Sequence, residues 1–297
     1  MKSIIAGLLF LFAAGGVVAE TLHKPFIQAT AIDGDVAQVV TTVKQKLTDA
    51  GFEVVGEVSP YADTTIVVIT NDALKANAAL TEYGVFGAAQ RVTVTSAATG
   101  IQVGYTNPVY MAHAYRMEQD LADVAAALGS ALGHQGEYGP EKGLSAEALR
   151  KYHYKFLMPY FYNRLHLASH KSYEAAIATL EKNLAARAGG VAKVYRVDLP
   201  GMEKTVIGVH MSGPENNDCS GDQYIMSRID FKEVKSSGHL PYEIVVSGKN
   251  IYALPAEFRI AISFPDLSMM GSNSFASIMC APNAIEEALT AAAGGKM

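Results

Sequence analysis

The sequence predicts an α+β fold of two similar subdomains, each an antiparallel-rich sheet packed by helices. Three observations carry that expectation. One order of strand, helix and strand is written twice along the chain. In each copy the later strands are joined by hairpin turns rather than by crossover helices. Finally, 49% of the 297 residues are hydrophobic, enough to bury one large core or two ordinary ones.

The chain opens on a secretory-signal pattern over residues 1–19: Lys2 is the positive start, Ile4 to Ala14 the apolar stretch, and Val17-Val18-Ala19 the small-residue end before Glu20. That stretch is shorter than the roughly 20 residues a spanning helix needs, so no membrane span is expected in the mature chain. The expected address is periplasmic or secreted, an oxidising setting in which thiols pair. No Cys precedes Cys219, which leaves no thiol to carry a lipid near the cleavage region.

The first subdomain, 20–142, begins with a strand at Phe26 to Ala31. Val36, Val39, Val40, Val43 and Leu47 then recur at helical spacing, and Gly51 stops the helix. Strands follow at Phe52 to Val58 and Thr64 to Thr70, separated by Pro60. Arg91 to Thr95 alternates and turns through Ala98-Thr99-Gly100 into Ile101 to Tyr105. Pro108 precedes a helix carrying Leu121, Val124, Ala125, Leu128 and Leu132, and His134 to Gly143 has the composition of a linker.

The second subdomain, 143–297, replays this series. Leu165 to Ser169 reads as a strand, then Tyr173, Ala176, Ile177, Leu180 and Leu184 match the first helix position for position, and Gly189-Gly190 ends it. Strands follow at Val191 to Val197 and Thr205 to Met211, separated by Pro200. A loop from Ser212 to Ser220 and a strand-like Tyr224 to Phe231 come next. Tyr242 to Ser247 turns through Gly248-Lys249-Asn250 into Ile251 to Leu254. The apolar run Phe258 to Phe264 reads as a further strand with Arg259 inside it, a charge expected to pair with Asp266 or Glu243. Pro282 suits the opening of the last helix, which carries Ile285, Ala288, Leu289 and Ala292, because its missing N–H costs nothing there.

A helix ending in Gly51-Phe52-Glu53-Val54, a strand at Thr64 to Ile69 and a hairpin Thr99-Gly100-Ile101-Gln102-Val103-Gly104-Tyr105 closing on Asn107-Pro108 together resemble the bacterial and archaeal domain-of-unknown-function family numbered 302. The resemblance covers residues 28 to 110 in the first copy. Where that family carries Asn-Pro and Leu-Pro, this copy has Asn71-Asp72 and Gln90-Arg91, while the divergent second copy keeps Leu240-Pro241. The resemblance implies a tandem pair of α+β domains, often found in exported proteins, and brings no catalytic residue to carry over.

Charge and motifs exclude several activities. Lys and Arg number 24 against 29 Asp and Glu, a net charge of -5 without a basic run, so no nucleic-acid partner held through phosphates is expected. The sequence has no G-x-S-x-G, H-E-x-x-H or C-x-x-C, which removes the serine-hydrolase, zincin and thioredoxin-like constellations. Gly15-Gly16 lies in the signal pattern and Gly294-Gly295-Lys296 follows the last helix with no strand before it, so neither is expected to cradle a phosphate. In Asn216-Asn217-Asp218-Cys219-Ser220-Gly221-Asp222 the oxygen spacing is that of a calcium loop, but the twelfth position is Ser227 instead of Glu, so the segment reads as a polar turn.

Soft ligands gather in the second half. Cys219, Cys280 and His210, with His239 and Met202, Met211, Met226, Met269, Met270 and Met279 around them, are the donor types that hold copper or zinc. The irregular Met spacing fits gap-filling in a core better. Cys219 and Cys280 either form a disulfide, which would stabilise by about 4 kcal/mol through the long loop it closes, or stay as two buried thiols, or give one thiol to a metal. His153, His166 and His170 fall among Tyr152, Tyr154, Phe156, Tyr160, Phe161 and Tyr162, a segment that either lines a pocket between the halves or packs as a connector.

The expected function is therefore non-enzymatic: a small molecule or partner protein bound at the groove between the subdomains or along a sheet edge. One rival is a metal or redox accessory protein built on His210, Cys219 and Cys280. Another is an enzyme with an unrecognised site in the inter-domain cleft, marked by convergent acid, base or nucleophile side chains with shifted pKa values.

Overall fold

The computed structural model describes residues 20–97, 100–213 and 218–296. The signal pattern, the Ala98-Thr99 turn and Asn216-Asn217 of the calcium-like loop lie outside the described residues. No helix among the described residues is long and apolar enough to cross a membrane.

The first half runs β1 (Leu22–His23), β2 (Phe26–Gln28), α1 (Val36–Asp49), β3 (Glu53–Val58), β4 (Thr64–Thr70) and α2 (Asp72–Ala79). It continues through β5 (Gln90–Ala97), β6 (Gly100–Thr106), α3 (Pro108–Ala114), α4 (Ala122–Leu132) and β7 (Gly136–Tyr138). β8 (Leu144–Ser145) and α5 (Ala146–Arg150) lead into the second half, which has β9 (Leu165–Ser169), α6 (Tyr173–Ala185), β10 (Val191–Asp198) and β11 (Lys204–Met211). α7 (Asp222–Ile229), β12 (Tyr242–Ser247), β13 (Asn250–Ala253), α8 (Ala256–Ser263) and α9 (Ala281–Ala293) complete it.

The two main sheets follow one plan. The first has strand order β3-β4-β5-β6-β2-β7 and the second β10-β11-β12-β13-β9, with every neighbouring pair antiparallel. With β7 set aside, the orders are the same. Each sheet also shifts register between its first two strands, at Val54/Gly56 and at Lys193/Tyr195, where a bulge bends the strand. The fold class is α+β, as the hairpin-rich pattern predicts.

Local signals explain the helices. α1 starts at a reciprocal capping box between Asp35 and Gln38 and buries Val39, Val40, Val43 and Leu47, the stripe its spacing predicts. α6 starts at Ser172, whose side chain accepts the Ala175 N–H, and buries Ala176, Leu180 and Leu184. α1 lies against β3, β4 and β5 and against α4, while α6 lies against β10, β12 and β13 and against α9. Each sheet thus has one helix-covered face.

The other faces meet. β4 is buried along its whole length, which a strand covered on a single side does not achieve. β3 packs on β10, the short turn Gly84–Gly87 packs on β11 and β12, and the turn Ser237–His239 packs reciprocally on β4, β5 and β6. At Gly56 an added Cβ would come within 2.5 Å of Val194 O, and Gly208 has the Tyr195 ring lying on it. At Gly56 only a residue without a side chain lets β3 approach β10 of the other sheet this closely, while Gly208 makes room for the ring of its cross-strand neighbour Tyr195 within one sheet.

Four sequence expectations need correction. Tyr224 to Phe231 is not strand-like: Ile225, Met226 and Ile229 make the buried stripe of helix α7. Phe258 to Phe264 is helix α8, buried almost all round, and a continuous apolar run reads alike for a buried strand and a buried helix. The helix after Pro108 is two helices, α3 and α4, broken before Leu121, which takes the left-handed conformation at φ 58°. The linker His134 to Gly143 contains β7, whose Gly136, Glu137 and Tyr138 pair with β2 as the sixth strand.

Candidate functional site

Between the sheets lies a closed ionic centre. Arg259 Nε sits 3.0 Å from Glu243 Oε2, and Arg91 Nη2 meets Glu243 Oε1, with all three side chains at most 2% exposed. Of the two partners expected for Arg259, the structure uses Glu243, while Asp266 takes Lys232 at 2.7 Å. Arg259 also donates to His239 O (2.7 Å), Pro241 O (3.1 Å) and Tyr115 Oη (3.1 Å). His239 is bonded at both ring nitrogens, to Ser263 Oγ and Tyr242 Oη. Burial, then the two guanidiniums, hold its pKa well below the ordinary imidazole range. This ring is fully buried where the halves pack.

The open chemistry lies along α7. His210, next to the end of β11, is held by Nδ1 donating to Asp222 Oδ2 at 2.6 Å. Asp222 is 1% exposed at the start of α7. The same oxygen accepts the Met211 N–H at 3.1 Å, while Oδ1 is buried without a hydrogen-bond partner among the described residues. Burial raises the Asp222 pKa, and the hydrogen bond and charge of His210 oppose that shift. With Nδ1 turned to the carboxylate, Nε2 is the ring nitrogen left to meet a ligand, an acceptor in the neutral ring and a donor in the imidazolium. The imidazole, 21% exposed, lines a cleft of about 560 Å³ with Ser212, Gln223, Tyr224, Ser227, Arg228 and, from the first half, Pro60. Arg228 lies 3.6 Å from the Tyr224 ring centroid and donates through Nη1 to Tyr224 O.

A second hollow of about 310 Å³ shares Gln223 and Ser227 with the first and runs to Tyr61, Asp63, Asp230 and Lys235. Asp230 accepts the Ser236 N–H with both oxygens, at 3.0 and 3.1 Å. Burial nevertheless pushes its pKa up to about 6. The cleft therefore carries imidazole and guanidinium at one end and carboxylates with one lysine at the other.

Cys219 and Cys280 are joined in a disulfide with Cα atoms 5.7 Å apart, fastening the turn before α7 to the start of α9. Of the alternatives for the two cysteines the structure has the disulfide; sulfurs bonded to each other offer no thiolate, so the rival copper or zinc site at His210, Cys219 and Cys280 is without two of its donors, and His210 Nδ1 is engaged by Asp222. Among the described residues no group of three or more His, Cys, Asp or Glu is placed to hold a metal ion. Met211 and Met226 are core residues, whereas Met202, Met270 and Met279 are exposed. The three histidines of the aromatic segment do not converge. His153 stands edge-on to Tyr160, His166 binds Ser169 Oγ at 2.9 Å, and His170 meets Ala293 O at 3.0 Å.

No family model, curated protein or solved structure matches the chain. The site is read from its geometry. At the α7 end the lining among the described residues holds His210 and Arg228 and no carboxylate, a donor set suited to an anionic group. Sequence reasoning found His210 but missed Asp222 as its anchor and Arg228 as its neighbour. The available signal was the helical stripe Ile225, Met226 and Ile229, which places Asp222 and Arg228 at opposite ends of one short helix.

Proposed function

We propose that this is an exported binding protein, two tandem halves resembling the family numbered 302, that captures a small polar ligand with an anionic group in the cleft along α7. One observation carries the reading: a histidine fixed by a buried carboxylate faces an open cleft beside Arg228, on a wall to which the described residues bring no acidic side chain. The unused guanidinium nitrogens of Arg228, and His210 in its imidazolium form donating through Nε2–H while Nδ1–H is held by Asp222, hold the anion, and Gln223 and Ser227 serve the polar body of the ligand toward the acidic end.

The test is native mass spectrometry on protein taken from its own compartment, beside calorimetry against a panel of small carboxylates and phosphates. The expected result is a bound small molecule, or a saturable response to a panel member, that is lost in Arg228→Ala and His210→Ala. A wild-type chain that is empty and silent to the whole panel overturns the reading.

A second reading takes its support from the His210–Asp222 pair, which resembles the base and orienting group of acid–base catalysts. Among the described residues no side-chain nucleophile is hydrogen-bonded to His210, so an enzyme here would have to activate water or a substrate proton. Turnover abolished by His210→Gln would favour it.

A further inference from the structure

Another hollow shares no lining residue with the α7 cleft. It measures about 630 Å³ and lies between the segment 151–164 and helices α8 and α9, within the size range of small-molecule sites. One wall is aromatic: the Tyr160 and Tyr162 rings stack with centroids 5.0 Å apart and 10° between planes, and His153 meets Tyr160 edge-on at 4.4 Å. Phe156 and Leu157 form an exposed apolar lip at 87% and 88% exposure.

Against this wall stand two carboxylates, Glu257 in the first turn of α8 and Glu286 in α9. No Lys or Arg lines the hollow, and neither carboxylate has an ion pair among the described residues. Glu257 is pushed up in pKa by burial and by the charge of Glu286, opposed only by a backbone N–H. The two acids thus repel each other with no cation to relieve them. Acidic side chains alone would mark only a solvated edge; facing stacked tyrosine rings, they form a different kind of surface. Ring faces and carboxylates attract the same class of ligand, a positive charge on an apolar body. The Tyr162 ring already takes Arg116, 5.2 Å from its centroid, and His153 Nδ1 is buried in the same wall with its hydrogen-bonding capacity unused.

We infer that this hollow binds an organic cation, an alkylammonium whose charged head lies between Glu257 and Glu286 and whose apolar body rests on Tyr160, Tyr162 and Phe156. The site is separate from the proposed anion cleft, and either stands without the other.

Calorimetric titration of the full chain with butyltrimethylammonium and with its uncharged carbon isostere decides the matter. The charged probe should bind saturably, and the isostere at least about tenfold more weakly. Glu257→Gln and Glu286→Gln should each weaken the charged probe several-fold while leaving the thermal midpoint unchanged. Tyr162→Leu, at a half-exposed ring, should do the same where Tyr160→Ala fails to fold. Equal binding of the two probes, unchanged binding in both Glu variants, or displacement of the probe by millimolar calcium or magnesium would overturn the inference, the last marking an inorganic-cation site.

Discussion

Arg91 of β5 and Glu243 of β12 stand at the same register position of their two sheets and pair with each other across the interface. Arg91 lies opposite Val68 of β4, and Glu243 opposite Gly208 of β11. The following residues, Val92 and Ile244, lie opposite Tyr105 of β6 and Ala253 of β13. Equivalent positions meet when two like sheets pack about an approximate two-fold axis, and opposite charges there favour the two different halves over two copies of either one.

The same pairing sets a stability test. Among the described residues Glu243 is the one carboxylate paired with two buried guanidiniums, so Glu243→Ala strands two charges and should cost about 3–5 kcal/mol by urea denaturation. Replacing the set together, Arg91→Met, Glu243→Leu and Arg259→Met, should cost less than the single change, because no unpaired charge then remains. A single variant as stable as the wild type would show the centre to be hydrated and open.

Asp230 predicts a pH dependence. Its folded pKa, about 6 against an ordinary 3.8, lies above the unfolded value, so the folded chain binds the extra proton between those limits. Stability should therefore fall as pH rises through about 4 to 6, by up to on the order of 3 kcal/mol. Asp230→Asn keeps an acceptor for the Ser236 N–H without the charge and should flatten that slope. Urea midpoints of both chains across this range check it, and parallel profiles would refute it.

Reduction of the disulfide offers a third test. Cys219 and Cys280 are separated by 61 positions, a loop whose closure is worth about 4 kcal/mol in the chain-entropy model. The paired Cys219→Ser and Cys280→Ser variant should lose up to that much in denaturant. Because the bridge holds the turn immediately before Asp222, anion binding at His210 should weaken as well.

How much was legible in the sequence follows from where each signal lies. The stripes Val39, Val40, Val43, Leu47 and Ala176, Leu180, Leu184 are local patterns, and both appear as buried helix faces. Phe258 to Phe264 failed because a segment buried on all sides has no periodicity to read. β7 failed because Gly136 and Gly139 punctuate a segment whose extended form depends on the edge of β2, far away in the chain. The site was half legible for the same reason. His210 is visible as a residue type, but its bond to Asp222 depends on how the loop between them folds, and the Arg91–Glu243 pair depends on two sheets meeting.

The anchoring of His210 gives the last test. Asp222→Asn keeps an oxygen for the Met211 N–H but replaces a charge-assisted bond to Nδ1 with a neutral one, a loss of about 1 to 2 kcal/mol. An anion that binds the wild type should then bind about tenfold more weakly, with the fold retained by circular dichroism. His210→Ala should cost at least as much, and the double variant no more than His210→Ala alone, since Asp222 acts on the ligand through the imidazole. If the two losses instead add in calorimetry, Asp222 influences the cleft by another path, such as the N-terminal turn of α7, and the imidazole is not the group that meets the ligand.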